Sequence, residues 1–297
     1  MQIIRKIVPN NFNLFLIGDQ HIGSILSSSK LWIKMIHMVN SEVDGINPRN
    51  NFVVDHGDML EAIDVQDKRF DISTIGGEDE NGNPVRDLRM AQILNQAQKA
   101  VLDRQEIRKN LITILKGNHE QKLLRHGNYV KDYVCERLGI EYGTYSCVIE
   151  YVDRKGELLF KHYAHHGFGS IKSIAHPSKR RHTNKKISLM QKFDAKFGDC
   201  LLSSMGHTHQ LIICDPEPVL YMETKDGKIE QRYTKPSKTT GYIEPNHRWI
   251  VNTGSFLKTF GIGFDGYGER AGYDLIELGF ILVKIRERKI DKVEKVV

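Results

Sequence analysis

Short apolar runs along the first part of the chain each stop on a polar cluster. Leu14-Phe15-Leu16-Ile17 runs into Gly18-Asp19-Gln20-His21, Phe52-Val53-Val54 into Asp55-His56-Gly57-Asp58, and Leu111-Ile112-Thr113-Ile114-Leu115 into Gly117-Asn118-His119-Glu120. Runs of this length, rich in Ile, Val and Leu, predict buried strands. Between them, Ser27-Ser28-Ser29 offers an N-cap for a helix through about Val43, with Leu31, Met35, Met38 and Val39 at helical spacing, closed by Gly45 and Pro48. Met90, Leu94, Ala97 and Val101 predict a second helix within Val85–Asn110, and a third is expected from Gln121 to Leu138, stopped by Gly139.

Beyond Gly139 the pattern changes to strands and tight turns. Thr144–Val152 and Glu157–Ala164 flank Asp153-Arg154-Lys155-Gly156 and predict an antiparallel pair. Further strands are expected at Cys200–Met205, Leu211–Cys214, Val219–Glu223 and Trp249–Asn252, with a closing hairpin around Arg286-Glu287-Arg288-Lys289. Helices alternate with strands early and strands dominate late. The expected fold is therefore α/β in the α+β sense: two packed sheets with helices outside them, one domain over residues 1–297. A polar stretch from about 67 to 84 reads as a long surface loop or small insertion near the strand ends.

Composition narrows the class. With 40% hydrophobic and 27% charged residues the chain is an ordinary soluble globular protein. No apolar stretch approaches the roughly 18 residues that span a bilayer. Met1-Gln2-Ile3-Ile4-Arg5-Lys6 lacks the features of a signal peptide. Cys135, Cys147, Cys200 and Cys214 show no C-x-x-C spacing and read as buried thiols of a reducing compartment. The expectation is a cytoplasmic protein that does not engage membranes.

Net charge is +6, and its distribution matters more than its sum. From residue 170 to 197, eight basic side chains (Lys172, Lys179, Arg180, Arg181, Lys185, Lys186, Lys192, Lys196) face Asp194 alone. Such a run is either a solvated loop or a polyanion-binding insertion. Its place between two histidine motifs favours the second.

Those motifs are His165-His166-Gly167 and Gly206-His207-Thr208-His209, which again sit at strand ends. Loops leaving the carboxyl ends of strands in an open sheet share one crevice, where ligands bind. Asp19, His21, Asp58, Asn118, His166, His207 and His209 are too many for one tetrahedral zinc. Imidazole with carboxylate suits manganese, iron, zinc or nickel, whereas magnesium or calcium favours oxygen alone. The set fits two divalent ions with Asp58 bridging them. Two ions about 3.5–4 Å apart lower the pKa of a shared water and clamp both oxygens of an in-line displacement. That chemistry is phosphate-ester hydrolysis by a bridging hydroxide.

The order Asp19-Gln20-His21, Gly57-Asp58, Gly117-Asn118-His119-Glu120, His166-Gly167, Gly206-His207-Thr208-His209 resembles the calcineurin-like metallophosphoesterase superfamily. Val251-Asn252-Thr253-Gly254-Ser255 extends the likeness with the turn that follows the last motif in many members. The resemblance implies a β-sandwich flanked by helices. It implies one ion on Asp19, His21 and His209, another on Asn118, His166 and His207, and Asp58 between. It also implies that His119 contacts the scissile phosphate and protonates the leaving oxygen. Manganese is the first expectation among the metals.

The chain departs from the family at two points. Gly57-Asp58-Met59-Leu60-Glu61-Ala62 lacks the Asp-Arg-Gly of the protein Ser/Thr phosphatases, which counts against that branch. Asp55 and His56 stand where the family usually has apolar residues; they either orient ligands or simply end a polar strand. His165 competes with His166 as ligand, though the residue directly before glycine is the closer match. His37, His126, His162, His176, His182 and His247 carry no motif and read as ordinary histidines.

Three function classes follow. The first is a phosphodiesterase or nuclease acting on DNA or RNA, its backbone held by Asn118, His119, Arg180, Arg181, Lys185 and Lys186. The second is a phosphatase or cyclic phosphodiesterase for a small nucleotide or phosphomonoester, for which the basic run is incidental. The third is a non-catalytic binding module on the same fold, which predicts eroded ligands; none of the seven is missing.

Overall fold

In the computed structural model, which describes all residues except Lys68, Glu80, residues 236–240, Ile262, Phe264 and Asp265, strand β2 (Phe12–Ile17) is buried at every position. Its side chains alternate between two cores. Phe12, Leu14 and Leu16 face a second sheet, meeting Ile149, Tyr151, Leu202 and Val251. Phe15 and Ile17 face the opposite way, onto Leu31, Trp32 and Met35 of α1 (Ser29–Val39) and Ala97 and Ala100 of α2 (Ile93–Gln105).

The sheet holding β2 runs β17 (Lys289–Val296), β16 (Phe280–Arg286), β2, β4 (Asn51–Asp55), β7 (Leu111–Ile114), β8 (Glu141–Tyr142). The facing sheet runs β1 (Gln2–Ile7), β9 (Ser146–Val152), β10 (Leu158–His165), β11 (Leu202–Met205), β15 (Trp249–Thr253), β12 (Leu211–Cys214). Its far side carries Val148, Tyr163, Met205 and Ile250, covered by Leu189 of α5 (Ser178–Gln191) and by Phe193. The class is mixed α/β with mixed sheets and helices outside them, in agreement with the expected α+β layering.

Pairing direction places the site. β2, β4 and β7 are parallel, with Ile17 level with Asp55 and Asp55 level with Ile114. Across the sandwich β10, β11 and β15 are also parallel, with His165 level with Met205 and Met205 with Asn252. All of these strands end in polar loops, and within each sheet their carboxyl ends stand level.

Several expected elements differ. The predicted helix over 85–110 shrinks to α2, preceded by β6 (Pro84–Arg86) and a 3-10 turn at Leu88–Ala91. Its buried face is Gln96, Ala97, Ala100 and Arg104, while Leu94 is exposed. Two of the inward residues are polar, so apolar spacing alone mislocates the face. The 121–138 helix is broken into α3 (Asn118–Lys122), a 3-10 turn, a π-helical turn over Tyr129–Cys135 and α4 (Glu136–Leu138). Gly127, at φ 125°, is the break; Gly139, at φ 65°, is the predicted stop.

Residues 67–84 are not only loop: β5 (Ile75–Glu78) pairs with β6 and with β3 (Gly23–Ser24). The basic segment is not a loop either, since α5 occupies its middle. Strand β1, which the pattern did not predict, is an edge strand that buries only Ile4. β13 (Leu220–Lys225) and β14 (Lys228–Tyr233) form a separate two-stranded hairpin. All four cysteines are buried and free, as expected. Among the described residues no helix is long and apolar enough to cross a membrane.

Candidate metal centre

Five residues at the strand ends take left-handed backbone: Asp19 (φ 54°), His21 (56°), Asp58 (48°), His207 (67°) and His209 (55°). Each such residue costs of order 1–3 kcal/mol. Burial of the five large apolar side chains of β2 contributes roughly 1.5–3 kcal/mol apiece, which outweighs the strained turn holding Asp19 and His21. Close approach is possible because the neighbours are glycines. A Cβ at Gly117 would stand 2.0 Å from Asp58 Oδ1, and one at Gly206 2.6 Å from Asp19 Oδ2.

The turns bring the predicted residues into two adjoining groups. Ligand atoms of Asp19, His21 and His209 all lie within 4.8 Å of one another, as do those of Asp58, His166 and His207. In the first group His21 Nε2 and His209 Nε2 are 3.2 Å apart, and Asp19 Oδ1 is 3.4 Å from His209 Nε2. In the second, His166 Nε2 is 3.4 Å from Asp58 Oδ2 and 3.0 Å from Asn118 Oδ1. Asn118 Oδ1 is also 2.6 Å from His207 Nδ1. Backbone bonds lock the carboxylates: His207 N–H donates to Asp19 Oδ2 at 2.8 Å and His119 N–H to Asp58 Oδ1 at 2.9 Å.

Whether these atoms suit cations is decided by where their protons go. His21 Nδ1 bonds the Glu61 carboxylate at 2.8 Å and His166 Nδ1 the peptide oxygen of His56 at 2.7 Å. Both partners can only accept, so each Nδ1 carries the proton, and wherever the ring is neutral its Nε2 turns a lone pair inward. Those lone pairs meet carboxylate and amide oxygens, and Asp19 Oδ1 is buried without any hydrogen-bond partner. Such convergent nitrogens and oxygens fit positive charge, supplied by metal ions or, without them, by protons on the rings. The Asn118 amide can face either way; turned over, its nitrogen would donate to His166, His207 and Asp58. Oxygen inward therefore suits a loaded centre or a protonated His166, and nitrogen inward an empty centre with neutral rings.

The same electrostatics act on protons. Burial alone would lower His21, but its bond to Glu61 and the charges of Glu61, Asp58 and Asp19 raise it to about 9. His166 is likewise disfavoured by burial yet raised to about 9 by Asp58 and Asp19. Burial would raise Asp58, but His166 and His119 hold it well below the usual carboxylate range.

Three residues without a role in the sequence reading join the site. Glu61 lies within a third group, with His21 and His119. Its peptide oxygen also accepts from His119 Nδ1. Glu120 sits behind the ligands and accepts from the backbone N–H groups of Asp58, Leu60 and Gly117 at 3.1, 2.9 and 2.8 Å. Burial and Asp58's charge push it up to about 7. Arg69, gripped by Asp67 through two side-chain bonds of 3.1 and 2.9 Å, places Nη1 3.4 Å from His119 Nε2. Glu61 and Glu120 lie inside quoted motifs; Arg69 had no signal beyond its place in the polar stretch.

The other polar residues at the strand ends take distinct positions. His165 Nδ1 accepts from Gly167 N–H at 2.7 Å and joins neither group, while His166 is fully buried in the second. Asp55 turns away from the crevice to Arg104, 2.7 Å distant, where both are almost completely buried. His56 bonds Ser204 Oγ at 2.6 Å, and His162, read as ordinary, bonds the same oxygen from the other side at 2.6 Å. Of the basic helix, Lys185 reaches Gln210 Oε1 at 2.9 Å, next in sequence to His209. Lys186 turns to Asp215, Arg181 to the Ala175 carbonyl, and Arg180 is exposed. The helix borders the crevice through one side chain rather than four.

No protein-family model matches the chain, and no curated protein sequence matches it either.

Proposed function

We propose that the chain is a metal-dependent phosphoesterase of the calcineurin-like kind, hydrolysing phosphodiester bonds in nucleic acid. The observation that carries this reading is the pair of adjoining groups, whose ring nitrogens and buried carboxylates converge within 4.8 Å and call for positive charge among them. Asp19, His21 and His209 would hold one divalent ion and Asn118, His166 and His207 the other, and Asp58, which lies with His166 and His207, would be the carboxylate they share. Manganese is the first candidate; iron, zinc and nickel suit the same donors. Two such ions supply Lewis acidity toward phosphate oxygens and acidify a water between them.

The chain's own residues have separate tasks. Glu61 and the His56 carbonyl fix the tautomers of His21 and His166, so both present Nε2. His119, with Nδ1 committed to Glu61, turns Nε2 toward the crevice and toward Arg69. Burial lowers its pKa, so its Nε2 starts with a lone pair, and the proton it would give to a leaving oxygen must first be taken from water. The Arg69 guanidinium beside it suits a phosphate oxygen. Lys185, beside Gln210, supplies a second cation near His209, where a strand longer than one nucleotide would lie.

The reading is tested with bis-p-nitrophenyl phosphate, p-nitrophenyl phosphate, single- and double-stranded DNA and RNA, and cyclic nucleotides, each with and without manganese. Hydrolysis of the diester and a polynucleotide, abolished by chelator, is expected. Turnover of monoesters or cyclic nucleotides alone would replace the nucleic-acid reading with the small-substrate one. No turnover of any substrate would leave a binding module.

A further inference from the structure

Five buried residues form one hydrogen-bonded chain beneath the two ligand groups. His56 Nδ1 bonds the Ile17 peptide oxygen at 3.0 Å, His56 Nε2 bonds Ser204 Oγ at 2.6 Å, Ser204 Oγ bonds His162 Nε2 at 2.6 Å, and His162 Nδ1 lies 3.4 Å from the Tyr151 hydroxyl. Its direction is forced from one end. A peptide oxygen only accepts, so His56 Nδ1 carries the proton and its neutral Nε2 must accept from Ser204. The serine oxygen then accepts from His162 Nε2–H, and His162 Nδ1 accepts from Tyr151. Every group is satisfied, with both rings neutral.

The members are placed where they can set distances. Ile17 is in β2, two residues before Asp19; His56 follows β4, two before Asp58. His162 is in β10, four before His166, and Ser204 is in β11, three before His207. The chain thus links the four strands that deliver Asp19, Asp58, His166 and His207, and it crosses from one sheet to the other. His56 is its hub, because its backbone N–H also donates to Ile17 and its backbone oxygen holds the His166 ring. Apolar side chains would fill a sandwich core at least as favourably; a fully satisfied polar chain adds a fixed direction and a fixed spacing.

We infer that His56, oriented by Ser204 and His162, is a positioning residue that sets the separation of the two ligand groups and the pose of His166. This rests on the two-group centre proposed above. A merely structural role would move only stability, so the test compares Ser204→Ala with the apolar triple variant His56→Leu/Ser204→Ala/His162→Leu. The triple variant leaves no orphaned polar partner within the three positions, and adding Tyr151→Phe removes the hydroxyl that His162→Leu would strand, so this apolar set is expected to fold if the single variant does not.

In metal-free protein, nitrogen-resolved histidine spectra read the His166 Nδ1–H directly. In manganese-loaded protein, the electron paramagnetic resonance of the ion pair reads its spacing, and titration reads the second equivalent. A folded triple variant should show a broadened or lost His166 Nδ1–H signal and altered exchange coupling. Its second manganese should bind about 10–100-fold more weakly, with kcat falling more than KM. Wild-type spectra, coupling and affinity in the folded triple variant would overturn the inference. Should the wild type itself hold fewer than two ions, the dinuclear reading fails on its own, and the metal-free spectra alone decide: an unchanged His166 signal overturns the positioning role, and a lost one upholds it.

Discussion

His119 donates its Nδ1–H to the peptide oxygen of Glu61, so the nitrogen it turns toward the crevice carries a lone pair while the ring is neutral. The ring's hydrogen bond is to a backbone group rather than to a proposed metal ligand, although it packs edge-on against His21 with 4.7 Å between ring centroids. His119→Ala should therefore keep both ions while kcat falls by about 10²–10⁴. The loss should shrink for p-nitrophenyl esters, whose leaving group needs little protonation. Equal losses for good and poor leaving groups would assign the ring to phosphate positioning.

Asp58→Asn should behave differently, losing metal and activity together. Elemental analysis of reconstituted protein should find close to two ions per wild-type chain and fewer in the variant. One ion per wild-type chain with full activity is the result incompatible with a dinuclear centre.

The raised histidines give a pH dependence with a definite sign. An unfolded histidine titrates near 6.5, whereas His21 and His166 titrate at about 9 in the metal-free fold. The fold therefore binds more protons than the unfolded chain between those values. Their stabilising contribution is complete below about pH 6.5 and is lost as pH rises through about 9. Melts in chelator should fall over that window, while manganese affinity should rise, because loading displaces the same protons. Flat metal-free melts from pH 6.5 to 9 would contradict the proton-loaded empty site.

Arg69 and Lys185 sit at different parts of the crevice and should separate by substrate. Arg69→Ala should raise KM for small esters and polynucleotides alike, because its guanidinium lies beside His119. Lys185→Ser, alone or with Arg180→Ser, Arg181→Ser and Lys186→Ser, should raise KM only for DNA or RNA. Each removed backbone contact should flatten the salt dependence by about one in log–log slope. If the quadruple variant affects both substrate classes equally, α5 is a solvated helix and the nucleic-acid reading fails.

What the sequence made legible follows a physical division. Asp19, His21, Asp58, Asn118, His166, His207 and His209 could be singled out because each follows a strand short and apolar enough to read directly, and parallel pairing brings such ends level. Glu61 and Glu120 were visible but mute, since their work is to hold backbone and ring nitrogens that only the fold brings near. Arg69 was hidden because it comes from a polar stretch, and its partner at the crevice, His119, lies in α3, 50 residues away in sequence. His162 looked ordinary because its partner Ser204 lies on another strand. α2 shows the converse failure: Gln96 and Arg104 are buried, so its inward face does not look apolar. The extent of the centre beyond the ligands was written in pairings between distant segments.

β2, which delivers the earliest of these ligands, is hydrogen-bonded on one side to β4 and on the other to β16, residues 280–286. On the ribosome its outer edge therefore stays open until some 260 further residues have been joined. His209 also arrives late, so the nascent chain spends most of its synthesis with an apolar strand edge uncovered and an incomplete ligand set. Non-local pairing of this kind is slow and exposes the growing chain to misassociation. Holding the unfinished chain apart from its neighbours, or slowing synthesis by cooling, should raise soluble yield more than added manganese does.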